Sequence, residues 1–150
     1  MTALGFRCSN QDYTYALLAG SREQPDLVAT DSIRFPQGFS RQQSLRWFLH
    51  EIEALLDQFP VDIVVVKEFE GQKRDKSFVA RVEHEAMIYV ATANCGITGV
   101  FKKRNCTIAK DLGLKGRARY LSSLDTSAIP DFDSLPAKAR EAVLSAWSGL

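Results

Sequence analysis

Three consecutive cations, Lys102, Lys103 and Arg104, are the most suggestive chemical feature of this 150-residue sequence. They follow a short apolar run, residues 97–101, that predicts a β-strand, and Asn105 after them is a favourable N-cap for a helix. The first amides of a helix are unpaired and carry partial positive charge, so added cations at that point favour an anion such as phosphate. The alternative is a solvated strand end, because lysine and arginine are mostly exposed.

The surrounding segment is also basic. Residues 67–119 contain twelve Lys and Arg against six Asp and Glu, whereas Asp and Glu are in excess on both sides of it. A block of this kind is typical of a face that meets an anion. Within it, Lys73 and Arg74 belong to a polar segment, residues 71–76, that predicts a loop able to flank the anion site. No aromatic residue alternates with these cations, so stacking of single-stranded bases is not indicated.

The two histidines do not predict a catalytic site. Consecutive residues of a helix point about 100° apart, so Glu83, His84 and Glu85 do not converge and are expected to form an exposed polar stripe. His50 lies beside Glu51 in another predicted helix and is expected on the surface. The sequence has neither of the Gly-rich loops that hold nucleotide phosphates.

The composition, 45% hydrophobic and 25% charged, is that of a folded globular protein. The three cysteines, Cys8, Cys95 and Cys106, form no CxxC pair, which argues against a disulfide framework and a clustered zinc site. No apolar run reaches about 18 residues, and the first residues lack a basic-then-apolar pattern. We therefore expect a reduced, cytoplasmic protein of one domain, residues 1–150, with no membrane segment, cofactor or metal.

The elements that must position these residues begin with an antiparallel meander. Alternating apolar residues predict three strands joined by short polar turns, near residues 3–6, 12–17 and 27–35. Ser40 and Gln43 have the spacing of a capping box, and the apolar residues behind them recur on one helical face until Pro60. Residues 63–66 are β-branched and predict a strand covered on both faces.

The second half predicts more helix than strand. Residues 77–94 form a helix whose apolar surface is wider than one stripe, so it lies in the core or at a subunit interface. The remaining predicted elements are a strand at 97–101, a helix from Asn105 to Gly113, a loop at 115–133 and a helix from Ser134 to Trp147. The order β-β-β-α-β-α-β-α-α predicts an α/β fold, a mixed sheet with helices on both faces.

This order resembles the ribonuclease H-like fold, and local segments resemble its RuvC-type Holliday-junction resolvase branch. Residues 4–9, LGFRCS, are similar to the resolvase opening apolar-Gly-apolar-Asp-x-Gly-Ser. Residues 59–67, FPVDIVVVK, are similar to its Phe-x-Pro-Asp-x-x-x-apolar-Glu strand, with one residue fewer near the proline. Residues 61–68 and 142–147 also look like a family of short bacterial proteins of unknown function. Over residues 3–120, the resemblance implies a ribonuclease H-like five-stranded mixed sheet.

The resemblance does not extend to the catalytic carboxylates. Resolvase chemistry needs several Asp or Glu to hold two divalent ions about 3.5–4 Å apart. Arg7 and Lys67 stand where the first Asp and the strand-end Glu are expected, and Lys138 occupies an acidic position of the last helix. Glu141 falls near another acidic position. Glu68 follows Lys67, but a one-residue step along a strand points its side chain to the opposite face. We therefore expect no catalytic residue and no metal pair.

These observations predict a RuvC-like protein that binds nucleic acid or another polyanion without cutting it. The predicted contact residues are Arg7, Lys67, Lys73, Arg74, Lys102, Lys103 and Arg104. One alternative is a divergent metal-dependent nuclease, whose acidic site would use Asp12, Glu68, Glu70 or Glu141. The other is a homodimeric protein-interaction module with helix 77–94 as its seam.

Overall fold

One five-stranded sheet forms the centre of the molecule. The computed structural model describes residues 1–116 and 120–150. The strands are β1 (Thr2–Cys8), β2 (Asp12–Gly20), β3 (Pro25–Arg34), β4 (Ile63–Lys67) and β5 (Gly99–Lys103). Their order in the sheet is β3-β2-β1-β4-β5. The first three are antiparallel neighbours, and β4 and β5 run parallel to β1. The mixed sheet predicted from the sequence is confirmed.

Helices cover both faces of the sheet, as predicted. They are α1 (Arg41–Gln58), α2 (Ser77–Asn94), α3 (Asn105–Asp111) and α4 (Ala137–Trp147). Helices α1 and α2 pack against each other on one face, where the core includes Phe6, Phe48 and Val66. Helix α4 packs on the other face against β1, β2 and β4, in a core that includes Ala3 and Val143. None of the helices in the described residues is long and apolar enough to span a membrane.

Local signals set the bounds of α1. The Ser40 hydroxyl accepts a hydrogen bond from the Gln43 amide at 3.2 Å, and the Gln43 side chain accepts one from the Ser40 amide at 2.8 Å. This is the predicted capping box, which pairs two amides at the helix start. The helix ends at Gln58, two residues before Pro60. The predicted helix is therefore confirmed at both ends.

A glycine brings α4 against β1. A Cβ built on Gly5 would lie 2.6 Å from the Ala146 backbone nitrogen and closer still to the Ala142 carbonyl oxygen. Only a residue without a side chain permits this approach of helix and strand. The close packing brings Glu141, in the second turn of α4, to the carboxyl end of β1, where Arg7 stands.

Three predicted bounds are wrong. The fifth strand is Gly99–Lys103 rather than 97–101, because Lys102 and Lys103 continue the pairing with β4. The last helix begins at Ala137 rather than Ser134, because Phe132–Ser134 forms a separate 3-10 turn ahead of Pro136. The predicted loop at 115–133 contains a second 3-10 turn, Leu121–Ser123, and its residues 117–119 lie outside the described residues.

Candidate anion-binding site

Arg7 and Lys67 stand side by side at the carboxyl ends of two parallel strands. The register pairs Phe6 of β1 with Val66 of β4, so Arg7 and Lys67 are the next residues along both strands. Phe6 and Val66 belong to the core beneath α1 and α2. Because strand side chains alternate, Arg7 and Lys67 face the α4 side. The prediction that they project from adjacent strand ends is confirmed.

Arg7 is held by the last helix and by its own strand end. Its Nε donates a hydrogen bond to Glu141 at 2.7 Å, and its Nη1 donates one to the Cys8 carbonyl at 3.1 Å. The Arg7 side chain is 18% exposed. A guanidinium therefore occupies the junction of β1 and α4, and it binds the carboxylate that falls near the acidic position of the resolvase pattern.

Lys67 is almost completely buried and is bonded within its own segment. Its ammonium donates hydrogen bonds to the Glu70 carboxylate and to the Glu68 carbonyl, the latter at 2.8 Å. Burial raises the pKa of Glu70, but hydrogen bonds from Lys67 and from the Asn105 amide outweigh it and lower the pKa overall. Glu70 is thus an ionised acceptor that joins the end of β4 to the start of α3.

Lys138 and Asp12 form a third pair at the same edge of the sheet. The Lys138 ammonium lies 2.7 and 2.8 Å from the two carboxylate oxygens of Asp12, and the Ser9 hydroxyl donates to the same carboxylate at 2.6 Å. Partial burial raises the pKa of Asp12, yet the hydrogen bonds from Lys138 and Ser9 lower it overall. The pair joins the start of β2 to the first turn of α4.

The predicted grouping of Lys102, Lys103 and Arg104 is met only in part, because Lys102 and Arg104 line one cavity and Lys103 does not. The two lysines both lie within β5, where successive side chains point to opposite faces. Lys102 donates to Glu85 of α2 at 2.7 Å. Lys103 binds Asp111 of α3 at 2.8 Å, on the other face.

Arg104 differs from these two lysines because its side chain is 62% exposed. Arg104, rather than the predicted Asn105, is the N-cap residue of α3, and its Nε donates to Glu68 at 3.1 Å. Glu68 itself lines a cavity of about 380 Å³ together with Phe69, Lys73, Glu85 and Arg104. Arg104 is therefore the most exposed member of the trio, and Lys102 lines the same cavity while bonded to Glu85.

Lys73 and Arg74 are exposed in the connection between β4 and α2, as predicted. The Arg74 side chain bonds the Gln72 side chain, and neither cation belongs to an ion pair among residues 1–116 and 120–150. Lys73 lines the same cavity as Arg104. Within the described residues, Lys73 and Arg74 therefore stand outside the ion pairs, although Glu68, Glu70 and Glu85 line the cavity beside Lys73.

The prediction of an exposed Glu83-His84-Glu85 stripe is wrong for two of its members. His84 is fully buried, stacks on Phe35 with ring centroids 4.2 Å apart, and contacts the Ser9 carbonyl through Nδ1 at 2.9 Å. Burial, together with the charge of Arg41, lowers the pKa of His84 to about 4. His84 is therefore neutral at pH 7 and part of the core, whereas His50 is on the surface as expected.

The sequence also did not indicate that Arg81 and Glu85 are buried. Their exposed fractions are 7% and 2%. Arg81 Nε and Glu85 Oε1 have no hydrogen-bond partner among the described residues. Both lie on α2, one turn apart, and neither belongs to a recognisable motif. The one available signal was the apolar character of the residues around them, which placed this helix either in the core or at a subunit interface.

The arrangement of elements has counterparts among solved structures. The chain has the ribonuclease H-like fold of RuvC. Its structure matches Thermus thermophilus RuvC in complex with Holliday junction substrate with a TM-score of 0.73 and 13% identity, over 99% of this chain and 91% of that one. It matches the yeast mitochondrial Holliday junction resolvase Ydc2 with a TM-score of 0.65 and 12% identity, over 98% and 76%.

A viral resolvase shares the fold as well. Fowlpox virus resolvase, in complex with substrate Holliday junction DNA, matches with a TM-score of 0.55 and 12% identity, over 99% of this chain and 95% of that one. No protein-family model and no curated protein matches the chain. At these identities the comparisons establish the fold.

The residues at the RuvC-like strand ends do not fit a two-metal centre. Hard divalent ions need several free oxygen ligands. Each acidic candidate is instead bonded to a cation: Asp12 to Lys138, Glu68 to Arg104, Glu70 to Lys67 and Glu141 to Arg7. Within the part of the chain that the structure describes, no three His, Cys, Asp or Glu side chains are grouped closely enough to hold a metal.

Proposed function

We propose that this chain binds nucleic acid at the carboxyl-end edge of its sheet and does not cut it. The observation that supports this best is the junction of β1, β4 and α4. There Arg7, Lys67 and Lys138 bond the carboxylates that a metal-dependent nuclease would need. Ammonium and guanidinium groups attract a phosphodiester but supply neither a metal ion nor a nucleophile.

The candidate contact residues divide into two groups. Arg7, Lys67, Lys102 and Lys103 join elements of the fold through ion pairs. Lys67 is buried, Arg7 and Lys103 are partly buried, and Lys102 is exposed. Lys73, Arg74 and Arg104 are exposed at the same edge. Because most of the affinity for nucleic acid comes from cations that reach the phosphates, the exposed group is the one that makes first contact.

The structural neighbours support nucleic acid as the class of polyanion. Thermus thermophilus RuvC and fowlpox virus resolvase are both described in complex with Holliday junction DNA. A basic edge on the same fold is suited to the same backbone. The three free thiols, of Cys8, Cys95 and Cys106, are compatible with the cytoplasmic location that we propose for this protein.

A salt titration of DNA binding tests the proposal. The affinity for a labelled four-way junction and for duplex DNA is measured from about 50 to 200 mM salt in the wild type and in K73A/R74A. Each phosphate neutralised adds about −0.9 to the log–log slope on duplex DNA. The double variant should therefore flatten the slope by about 1.8.

The matched control is R46A/K110A, which removes two exposed cations from α1 and α3. It should keep the wild-type slope. The absence of saturable binding at the lowest salt concentration, or equal slopes in the wild type and K73A/R74A, would contradict the proposal. Replacing Lys102 and Lys103 is a poorer test, because their ion pairs with Glu85 and Asp111 join separate elements.

The exposed face of α2 favours a second candidate, a homodimeric interaction module. Val79, Val82, Tyr89 and Val90 are each at least 40% exposed along this helix. Sedimentation of the wild type and of V79D/V90D separates the two candidates. A dimer that the substitutions dissociate, combined with no DNA binding, would favour the module.

A further inference from the structure

Arg81 is a buried cation for which the described residues provide no hydrogen-bond acceptor at Nε. Only 7% of the residue is exposed, its Nε has no hydrogen-bond partner, and none of the ion pairs within the described residues includes it. Buried charges are normally paired, because removing a charge from water without compensation is costly. The other cations at this edge, Arg7 and Lys67, follow that rule.

The contact that holds Arg81 leaves its donors free. The guanidinium carbon lies 4.6 Å from the centroid of the Phe69 ring. A cation–π contact uses the face of the guanidinium, whereas its N–H groups point outward in the plane. Glu85, one turn further along α2, directs one carboxylate oxygen to Lys102 at 2.7 Å. Its other oxygen, Oε1, has no partner among the described residues, so Arg81 and Glu85 do not satisfy each other.

The charges around Arg81 leave an excess of positive charge. Burial, and next the nearby charge of Arg7, lower the pKa of Arg81. The Cys8 thiol between the strand end and α2 does not offset this charge, because burial raises its pKa to about 12 and keeps it neutral. Glu141 is already bonded to Arg7. An additional anion would balance the Arg81 guanidinium.

We propose that Arg81 binds a phosphate oxyanion at the carboxyl end of β1. The planar fork of a guanidinium matches two oxygens of a phosphate and forms charge-assisted hydrogen bonds with both. The phosphate is either free or part of a nucleic-acid backbone. The nucleic-acid source rests on the proposed function.

The Nε–Hε NMR resonance of Arg81 reports on this site in the wild-type protein. Inorganic phosphate is titrated at constant ionic strength against chloride, and a four-way DNA junction is titrated separately. Loss of the resonance in R81K gives the assignment. Phosphate should shift the Arg81 resonance saturably while chloride does not. R81K, followed through its backbone amide resonances, should raise the phosphate Kd by about tenfold.

E85Q tests the alternative that Arg81 pairs with Glu85 within the protein. If Arg81 and Glu85 pair in solution, E85Q shifts the Arg81 resonance in phosphate-free buffer and phosphate does not, which overturns the inference. If phosphate shifts the resonance and DNA does not bind, the site stands as one for free phosphate and the proposed function fails. If DNA binds but neither DNA nor phosphate shifts Arg81, the inference fails and the proposed function stands.

Discussion

At the residue scale, the strand-end cations act as internal counter-ions. Arg7 joins β1 to α4, and Lys67 joins β4 to the segment that leads into α3. A carboxylate at either position would repel the carboxylates now bonded there. The surroundings of positions 7 and 67 therefore favour a cation over a carboxylate at both positions.

His84 predicts how stability depends on pH. Its pKa is about 4 in the folded protein, against 6.5 for an unperturbed histidine side chain, so the folded state binds fewer protons between these values. Neutral His84 makes its full contribution to the free energy of unfolding above pH 6.5, and this contribution is lost as the pH falls toward 4. The loss amounts to about 3 kcal/mol.

Urea unfolding at about pH 7, 5.5 and 4 measures this loss. H84Q should remove most of the decline that the wild type shows between pH 6.5 and 4. H50Q is the matched control, because the side chain of His50 is 61% exposed, and it should keep the wild-type decline. A decline unchanged in H84Q would show that His84 is not the responsible group.

The sequence predicted the places of Arg7 and Lys67 but not their partners. The positions of these two residues followed from motif spacing and strand register, which are local properties. Glu141, the partner of Arg7, lies 134 residues further along the chain, so the pair exists only after α4 packs on β1. The burial of His84 has the same origin, because Phe35 comes from the end of the first meander.

At the element scale, the contact between β1 and α4 depends on Gly5. A methyl group there would meet the backbone of α4, which moves less readily than a side chain. We expect G5A to destabilise the fold by about 3 kcal/mol. G99A, whose added carbon would meet its nearest atom at 3.0 Å, should cost less. Equal stability of G5A and the wild type in urea would contradict the close approach.

The start of α1 offers a milder test. Removing the Ser40 hydroxyl leaves the Gln43 amide without its acceptor. S40A should lower the free energy of unfolding by about 1 kcal/mol. S122A, in an exposed turn, is the control and should leave it unchanged. A smaller effect in S40A than in S122A would mean that the capping box does not stabilise this helix.

Helices and strands were predicted correctly where the sequence carried clear signals for their ends or for their alternation. The capping box and the proline gave α1 its limits, and the meander followed from alternation and short turns. Strand β5 was displaced by two residues because lysines are poor evidence of a strand. Only pairing with β4, a tertiary contact, extends it through Lys103.

At the scale of the whole molecule, the fold matches RuvC. The carboxyl-end edge of the sheet lies at the surface between the two helical layers. In this chain that edge carries exposed cations at Lys73, Arg74 and Arg104 beside a set of internal ion pairs. We therefore expect this protein to bind a phosphodiester without cleaving it.

An incubation with a labelled four-way DNA junction tests this separation of binding from cleavage most directly. Nuclease-free protein is mixed with the junction in EDTA or in magnesium, and bound and cut strands are quantified from the same sample. We predict binding in both buffers and intact strands throughout. Magnesium-dependent cleavage that is lost in E141Q would contradict this prediction.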